Sequence, residues 1–202
     1  MARAEEQGYQ GEEEPCMIAH DIAMMLAKYD PTIKVVPFNP SNAVFEECVK
    51  MNCFYCKRYG NNWRCPPHLP DIDYRRMFSE YPYGALVLLS RKYDDGQSFE
   101  EARTESSVDL HRALLKSEKL LYEMGMTTAI SFTGGSCKLC KDGCGAEGCN
   151  NPGASRSPLE AVGVNVVKTA ANHGIDVRFP PDGEITRIGL VMWQGIGRKQ
   201  SK

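Results

Sequence analysis

The stretch GALVLLSR, residues Gly84–Arg91, is the clearest fold signal in the chain. It is a continuous apolar run between turn residues, which is typical of a strand buried on both faces. A second strand is predicted at Thr127–Phe132, TTAISF. Between them lies a long helical pattern that begins at a capping box, Ser98 with Glu101, and ends before Gly125. Strand, helix and strand in this order predict a βαβ unit with parallel strands and a right-handed crossover.

Further helices and strands are predicted on both sides of this unit. Helices are expected at Pro15–Tyr29, Asn42–Met51, Asp71–Tyr81 and Ser157–His173, and strands at Lys34–Phe38, Ile175–Phe179 and Ile185–Trp193, the last two as an antiparallel hairpin. The sequence therefore predicts an α/β fold, with a mixed central sheet of about four to five strands flanked by helices. We expect one domain over residues 15–197, between a disordered acidic tail (1–14) and a basic tail (198–202).

Eight of the nine cysteines fall into two groups. The first cysteine set has the spacing C-x4-C-x2-C-x8-C, lies in residues 48–67 (the first cysteine loop), and consists of Cys48, Cys53, Cys56 and Cys65. The second cysteine set has the spacing C-x2-C-x3-C-x4-C, lies in residues 133–152 (the second cysteine loop), and consists of Cys137, Cys140, Cys144 and Cys149. Thiols this close in sequence cannot all share one strand or helix face, but they can surround a metal centre. Both cysteine loops are therefore predicted to bind metal.

The spacing also bears on which metal each loop binds. Structural zinc sites usually pair two C-x2-C knuckles across a longer spacer, whereas each set here has one C-x2-C pair, single cysteines, and a proline soon after its last cysteine. Such compact runs resemble those that hold iron–sulfur clusters. The second set therefore favours an iron–sulfur cluster of the [4Fe-4S] type over zinc. For the first set, iron–sulfur and zinc are equally compatible with the pattern, so one or two clusters are expected.

The residues around the second set offer hydrogen-bond donors and charge. Thr133, Gly134, Gly135 and Ser136 leave the second predicted strand and run directly into Cys137. Their hydroxyl and amide groups can donate to cluster sulfur or to a bound anion, although a plain strand-to-loop turn explains each residue equally well. Ser90 and Arg91 are expected at the same sheet edge.

Two further groups of side chains are candidates for the surroundings of the metal centres. Arg156 and Arg187 either face a ligand or form surface ion pairs. The first cysteine loop also contains four aromatic residues, Phe54, Tyr55, Tyr59 and Trp63. They can keep water away from a cluster or simply fill the core.

Composition restricts the possible partners and location. The chain has 202 residues and a formal net charge of −2, so no nucleic acid or other polyanion is expected as a partner. No apolar run reaches membrane-spanning length, and the Glu-rich N-terminus does not resemble a signal peptide. A cytoplasmic location is therefore expected. In that reducing compartment, nine cysteines favour metal binding or redox chemistry over disulfides.

Four sequence blocks carry a resemblance to a known family. They are CFYCKRYGNNWRCPP (Cys53–Pro67), FTGGSCKLC (Phe132–Cys140), SPLEAVGVNVVKTA (Ser157–Ala170) and TRIGLVMW (Thr186–Trp193). They resemble an uncharacterised family of predicted metal-binding proteins that is common in anaerobic microbes. The resemblance covers most of the chain from Cys48 to Trp193 and implies metal binding of the iron–sulfur type, with no established reaction. In place of the arginine expected after the last cysteine of the second set, this chain has Asn150-Asn151, and Arg156 is the nearest substitute.

These features favour electron transfer or related redox chemistry, with a redox partner protein. One alternative is an enzyme that uses a cluster or metal with an open coordination site. Another is a non-enzymatic structural zinc protein. The sequence contains no convincing Ser/His/Asp constellation, phosphate-binding loop or H-E-x-x-H motif, so no catalytic residue is predicted.

Overall fold

The computed structural model of the protein describes residues 10–93, 98–178 and 180–195. Its centre is a four-stranded sheet in the order β1-β2-β4-β3, with every neighbouring pair antiparallel. The strands are β1 (Ile33–Phe38), β2 (Tyr83–Lys92), β3 (Ile130–Phe132) and β4 (Glu184–Trp193). The predicted α/β class, with a central sheet flanked by helices, is confirmed.

Five α-helices surround the sheet in the described ranges. They are α1 (Gln10–Tyr29), α2 (Glu47–Phe54), α3 (Tyr74–Ser79), α4 (Phe99–Glu123) and α5 (Val166–Ala171), with short 3-10 helices at Pro40–Asn42 and Glu160–Val162. The capping box between Ser98 and Glu101 forms as predicted at the start of α4. Helix α1 begins at Gln10, so residues 10–14 of the predicted tail are helical, while residues 1–9 and the predicted basic tail lie outside the described ranges. No helix in the described part of the chain is long and apolar enough to cross a membrane.

Both faces of the sheet are buried. Along β2, Ala85, Val87 and Leu89 pack with α1 and α4, whereas Leu86 and Leu88 pack on the opposite face. This alternation follows from the two-residue period of a strand. The second face is covered by residues from α3, α5 and the segment Leu159–Val164. The sheet is therefore the middle of three layers, and the continuous apolar run in β2 reflects burial on both sides.

The strands β2 and β3 are parallel, as the predicted βαβ unit requires, but they are not neighbours in the sheet. Both strands are antiparallel to β4, which lies between them, so they run in the same direction without touching. The helix α4 does connect two strands of equal direction, but the last strand of the chain is inserted between them. An apolar run indicates that both faces of a strand are buried, but it does not indicate whether the neighbouring strand is parallel or antiparallel.

The predicted hairpin near the C-terminus is wrong. Residues 175–178 form no strand, and Phe179 lies outside the described ranges. The long strand β4 pairs instead with β2, from Tyr83 opposite Trp193 to Lys92 opposite Glu184, and with β3 on its other side. Its apolar residues are buried by these long-range partners, which local sequence cannot reveal.

Three predicted helices differ in their limits. The expected helix Ser157–His173 is interrupted at Gly163, which has φ +96°, and a new helix starts where Asn165 Oδ1 accepts the N–H of Lys168 at 3.0 Å. A glycine at positive φ ends a helix, and asparagine is a favoured N-cap. Helix α3 is capped by Asp73 rather than by Asp71. Helix α2 is displaced to Glu47–Phe54 because the preceding turn is a 3-10 helix.

Candidate metal centres

The second cysteine loop begins where β3 ends beside the middle of β4. Thr133, at the start of the loop, donates its N–H to Ser157 O at 3.0 Å, and its carbonyl oxygen accepts the N–H of Leu159 at 2.9 Å. The chain that follows the loop therefore pairs with the residue at which the loop starts. Gly134 packs directly on the backbone of Ile188, where a Cβ atom would overlap the carbonyl oxygen. The sheet therefore fixes both ends of this loop.

The first cysteine loop begins inside α2, and this separates one predicted ligand from the others. Cys48 and Cys53 are five residues apart on a single helix, which places their side chains about 140° apart around its axis. The Sγ atom of Cys48 lies 3.8 Å from a carboxylate oxygen of Glu46, and Lys168 is close by. The geometry therefore does not bring Cys48 together with Cys53.

The remaining cysteines of the first set do come together. Cys53 ends α2, the N–H of Cys56 donates to Cys53 O at 3.1 Å, and Cys65 returns the chain to the same place. Cys65 is buried, and this burial raises the pKa of its thiol to about 12, with added effects from the charges of Cys53, Cys56, Cys137 and Glu160. Burial also raises the pKa of Cys53. Without a cation, these thiols are neutral at pH 7, so a bound metal would have to displace their protons.

Three consecutive residues join the two cysteine loops. Asn62 Nδ2 donates to Cys137 O at 3.1 Å, and Trp63 Nε1 donates to Gly145 O at 2.8 Å. Arg64 donates from Nε to Ser155 Oγ at 2.5 Å and from Nη2 to Pro152 O at 2.9 Å. As a result, Cys65 of the first set and Cys137 of the second set are close enough for their charges to interact. The two predicted sites form one region.

The cysteines of the second set lie near enough to one another for the charges of three of them to act on Cys137. Burial is the largest cause of the raised pKa of Cys137, and the charges of Cys140, Cys144 and Cys149 raise it as well. Asn151 Nδ2 donates to the Sγ atom of Cys140 at 3.1 Å. All four side chains are partly buried. An amide donor is therefore directed at one sulfur of this loop.

Cys149 differs from the other cysteines of its set. Burial alone would raise the pKa of its thiol, but Ser155 Oγ at 3.3 Å, the N–H of Asn151 and the guanidinium of Arg64 favour the thiolate, and the net pKa is lowered. Arg156, which the sequence suggested as the substitute for the missing arginine, instead pairs with Glu118. The positive charge at the last cysteine therefore comes from the first loop.

A cavity of about 290 Å³ opens beside the second set. Cys137, Cys140 and Cys144 line one side of it, and the cationic residues Arg58, Lys138 and Lys141 are also at its wall. Burial, together with the nearby charges of Arg103 and Arg187, lowers the pKa of Lys138 to about 8. Positive charge therefore surrounds the place where thiolate charge would accumulate on metal binding.

The predicted hydrogen-bond donors in Thr133–Ser136 differ in whether they already have partners. The Thr133 hydroxyl is buried and has no hydrogen-bond partner within the described ranges, so it is free to donate. The N–H of Gly135 is already used, because it donates to a carboxylate oxygen of Glu160 at 3.2 Å. Gly134 is explained by its packing on β4. No contact of the Ser136 side chain bears on its predicted role.

Glu160 is a carboxylate that sequence analysis did not single out. Its charge acts on both Cys53 and Cys65, and its carbonyl oxygen lies 3.8 Å from the Sγ atom of Cys53. Glu160 as a whole residue is partly exposed, but burial of its carboxylate raises the pKa of that group. The N–H groups of Glu160 and Gly135 and the charge of Arg187 lower the pKa by less than burial raises it. The carboxylate therefore lies between the two cysteine sets.

The other predicted neighbours of the metal centres have protein partners of their own. Ser90 Oγ is 3.1 Å from Thr186 Oγ1, and Arg91 pairs with Asp30 and Asp109. The half-buried Arg187 donates from its guanidinium to Arg103 O at 2.8 Å, and its charge acts on both Lys138 and Glu160.

The aromatic residues of the first loop do not form the expected cover. Phe54 and Tyr55 are 54% and 75% exposed, which excludes them as a seal over a cluster. Trp63 is the aromatic residue that joins the loops, through its contact with Gly145.

The thiols are not arranged around a single point. Among the side chains that the structure describes, no group of three or more His, Cys, Asp or Glu residues is placed to hold a metal ion. A mononuclear site requires every sulfur at about 2.3 Å from one atom. In a four-iron cluster each thiolate binds a different iron atom, so the sulfurs stand farther apart. A mononuclear ion would therefore require the side chains to move from the positions that the structure describes.

Sequence analysis did not identify the residues that connect the loops as connections. Trp63 was considered only as a cover for a cluster or as a core residue, and the position of Asn62, Trp63 and Arg64 immediately before Cys65 was an available signal. Ser155 and Glu160 had no such signal, because their roles depend on the folding of one loop against the other.

A mixed α/β domain that gathers two cysteine-rich loops at one region, with cations and amide donors around the sulfurs, has the character of a metal-binding protein. The chain belongs to the family described as "Predicted metal-binding protein (DUF2284)", whose model matches residues 37–193. No curated protein and no solved structure matches the chain significantly.

Proposed function

We propose that this protein is an iron–sulfur protein that carries electrons, with a [4Fe-4S] cluster bound by Cys137, Cys140, Cys144 and Cys149. Three of these cysteines line a cavity of about 290 Å³, which is space that a single zinc ion would not need. The wall of the cavity supplies Arg58, Lys138 and Lys141, whose charge offsets that of the thiolates. The amide of Asn151 adds a hydrogen-bond donor at Cys140, and such donors raise the reduction potential of a bound cluster.

The observation that carries the proposal is the contact between the two loops. The hydrogen bonds of Asn62, Trp63 and Arg64 hold Cys65 beside Cys137, so a centre in the first loop would adjoin a cluster in the second. When bound, two adjacent clusters supply one-electron transfer between them. The residues of the loops fix the relative position of the sulfurs, exclude water at Cys65 and supply the compensating charge. This arrangement favours electron transfer over a purely structural metal.

A redox partner protein in the cytoplasm is part of this proposal. Met51, Phe54 and Tyr55 are 54%, 54% and 75% exposed, and they lie on or directly after α2, next to Cys53 and Cys56. Exposed apolar side chains of this kind are common at sites of protein contact. Docking at this surface would give a partner the shortest route to the first set.

The proposal is tested by reducing the anaerobically purified protein with dithionite and recording its absorption and electron paramagnetic resonance spectra. We expect broad visible absorption that bleaches on reduction, and a resonance spectrum split by magnetic interaction between two neighbouring clusters. A colourless protein that contains zinc would overturn the assignment of iron–sulfur clusters. Two bleaching clusters without any magnetic interaction would overturn the adjacency of the two sets.

A further inference from the structure

We propose that the end of α2 and the turn after it, residues 51–59, form a docking surface for a small acidic redox protein, which Lys57 and Arg58 recognise. This inference rests on the proposed function, because electron transfer gives the reason for a partner beside Cys53 and Cys56. It goes further by assigning the charge of that partner and the residues that select it.

Three aromatic rings contact one another at the centre of this surface. The ring centroid of Phe54 lies 5.3 Å from that of Tyr55 and 5.2 Å from that of Tyr59, and both pairs meet edge to face. Phe54 and Tyr55 are exposed, and so is Met51, which lies three residues before Phe54 on α2. Aromatic residues and methionine are enriched in the interfaces between proteins, where binding removes them from water. The rings therefore provide an apolar centre for docking.

The turn after α2 is held in one conformation by hydrogen bonds. Asn61 Nδ2 donates to Lys57 O and to Tyr59 O, each at 3.2 Å. The N–H of Gly60 donates to Pro66 O at 2.9 Å, which joins the turn to the end of the first cysteine loop. A surface that is already ordered loses less conformational entropy when a partner binds. The turn therefore presents its side chains in a fixed arrangement.

The charge of the docking surface is positive. Between Glu47 and Asp71 the sequence contains no Asp or Glu, and its cations are Lys50, Lys57, Arg58 and Arg64. Lys50 pairs with Glu47, and Arg64 donates hydrogen bonds to the second loop. Lys57 and Arg58 form no ion pair within 4.0 Å in the part of the chain that the structure describes, and Lys57 is exposed. These two cations are therefore available to a partner.

Positive charge continues from this surface to the second cysteine loop. Arg58 lines the cavity of about 290 Å³ together with Lys138 and Lys141, and none of the described residues at its wall is Asp or Glu. The nearby carboxylate of Glu100 is paired with Arg103. Complementary charge directs the approach of two proteins and disfavours partners of the same charge. The partner is therefore expected to present carboxylates around an apolar patch.

The charge of the partner is tested with two forms of one electron acceptor: cytochrome c, which is basic, and succinylated cytochrome c, in which carboxylates replace the lysine charges. The full-length protein is purified anaerobically, reduced, freed of excess dithionite and mixed with each form in a stopped-flow instrument. One electron passes from the reduced cluster to the ferric haem, which becomes ferrous. We expect the succinylated form to be reduced about tenfold faster at low salt, with equal rates at about 1 M salt. Equal rates at low salt, or faster reduction of the basic form, would overturn the proposal.

The recognising residues are tested with the double variant Lys57→Gln/Arg58→Gln. Its matched control is Lys28→Gln/Lys34→Gln, which removes two exposed lysines on α1 and β1. We expect the double variant to lose most of the rate advantage of the succinylated form and the control to keep it. Phe54→Ala should weaken binding of the succinylated form by about fivefold or more, as at a central interface residue. A double variant that keeps the full advantage would overturn the assignment of Lys57 and Arg58.

Titration calorimetry with the same two forms of cytochrome c measures binding without requiring electron transfer. A protein without iron would contradict the proposed function even if it bound the succinylated form. A protein that carries clusters but binds both forms equally would contradict only this inference. Tighter binding of a single-stranded RNA oligonucleotide, or a dimer of this chain that Lys57→Gln/Arg58→Gln dissociates, would assign the surface to nucleic acid or to a second copy and would also overturn the proposal.

Discussion

Arg64, in the first cysteine loop, lies against Cys149, the last cysteine of the second loop. Its Nε atom donates to Ser155 Oγ at 2.5 Å, and this hydroxyl lies 3.3 Å from Cys149 Sγ. Its Nη2 atom donates to Pro152 O at 2.9 Å. One side chain from the first loop therefore supplies the charge and the hydrogen bonds at the end of the second.

Replacing Arg64 by lysine tests this connection. Lysine keeps the charge but cannot donate from a planar fork to Ser155 and Pro152 together. We expect Arg64→Lys to lower the free energy of unfolding by about 1.5–3 kcal/mol, the usual worth of hydrogen bonds from a charged group. Thermal unfolding of the anaerobically purified protein measures this. The control is Arg178→Lys, where the arginine is exposed and 3.8 Å from Asp182. Equal melting temperatures for the two variants would contradict the connection.

Trp63 offers a test of a single hydrogen bond between the loops. Trp63→Phe removes the donor to Gly145 O, which is 2.8 Å from Nε1, and leaves most of the ring in place. The expected loss is about 1 kcal/mol, which corresponds to about 2–4 °C in melting temperature for a chain of this size. Tyr55→Phe, at a side chain that is 75% exposed, is the control and should change little. A melting temperature for Trp63→Phe within error of that of Tyr55→Phe would speak against the contact.

Gly134 tests how the sheet positions the second loop. A Cβ atom at this position overlaps the backbone of Ile188, and a strand backbone cannot move aside as a flexible side chain can. We expect Gly134→Ala to destabilise the protein by at least about 1–3 kcal/mol. At Gly153 an added Cβ atom meets nothing within 4 Å, so Gly153→Ala is the matched control. Comparable urea denaturation curves for the two variants would show that the loop does not start against β4.

The ion pair between Asp30 and Arg91 predicts a pH dependence of stability. Burial alone would raise the pKa of Asp30, but hydrogen bonds from Arg91 and Thr32 outweigh it, so the pKa is lowered on folding. The pair therefore stabilises the protein above the unfolded value of about 3.9, and the contribution is lost as pH falls through the lower, folded value. Asp30→Asn should be less stable than wild type by about 1 kcal/mol at neutral pH.

Urea denaturation of wild type and Asp30→Asn at neutral pH and at about pH 2.5 measures this difference. It should shrink at the lower pH, because wild-type Asp30 is then protonated in the unfolded state and increasingly so in the folded state. A difference of the same size at both pH values would mean that the charge of Asp30 does not contribute.

The sequence was sufficient for features that depend on local chemistry. The capping box of Ser98 and Glu101, the apolar strand at Gly84–Arg91 and the start of the second cysteine loop directly after a strand are each encoded within a few residues. Each depends on short-range contacts or on the residue pattern itself. These parts of the fold and the candidate site were therefore predictable.

Features that depend on contacts distant in sequence were not predictable. The insertion of β4 between β2 and β3 is determined by packing against residues about a hundred positions away. The spacing of Cys48 suggested a ligand, but the position of α2 turns its side chain away. The contact between the Glu160 carbonyl oxygen and Cys53 Sγ, at 3.8 Å, joins residues that are 107 positions apart in the chain. A spacing pattern identifies which residues can bind metal, and the fold decides which of them meet.

The most direct test is quantification of iron, acid-labile sulfide and zinc in the anaerobically purified protein. The proposed function, with a four-iron cluster in each cysteine set, predicts about eight iron and eight sulfide per chain, with little zinc. Zinc at one or two atoms per chain, without iron or sulfide, would contradict it.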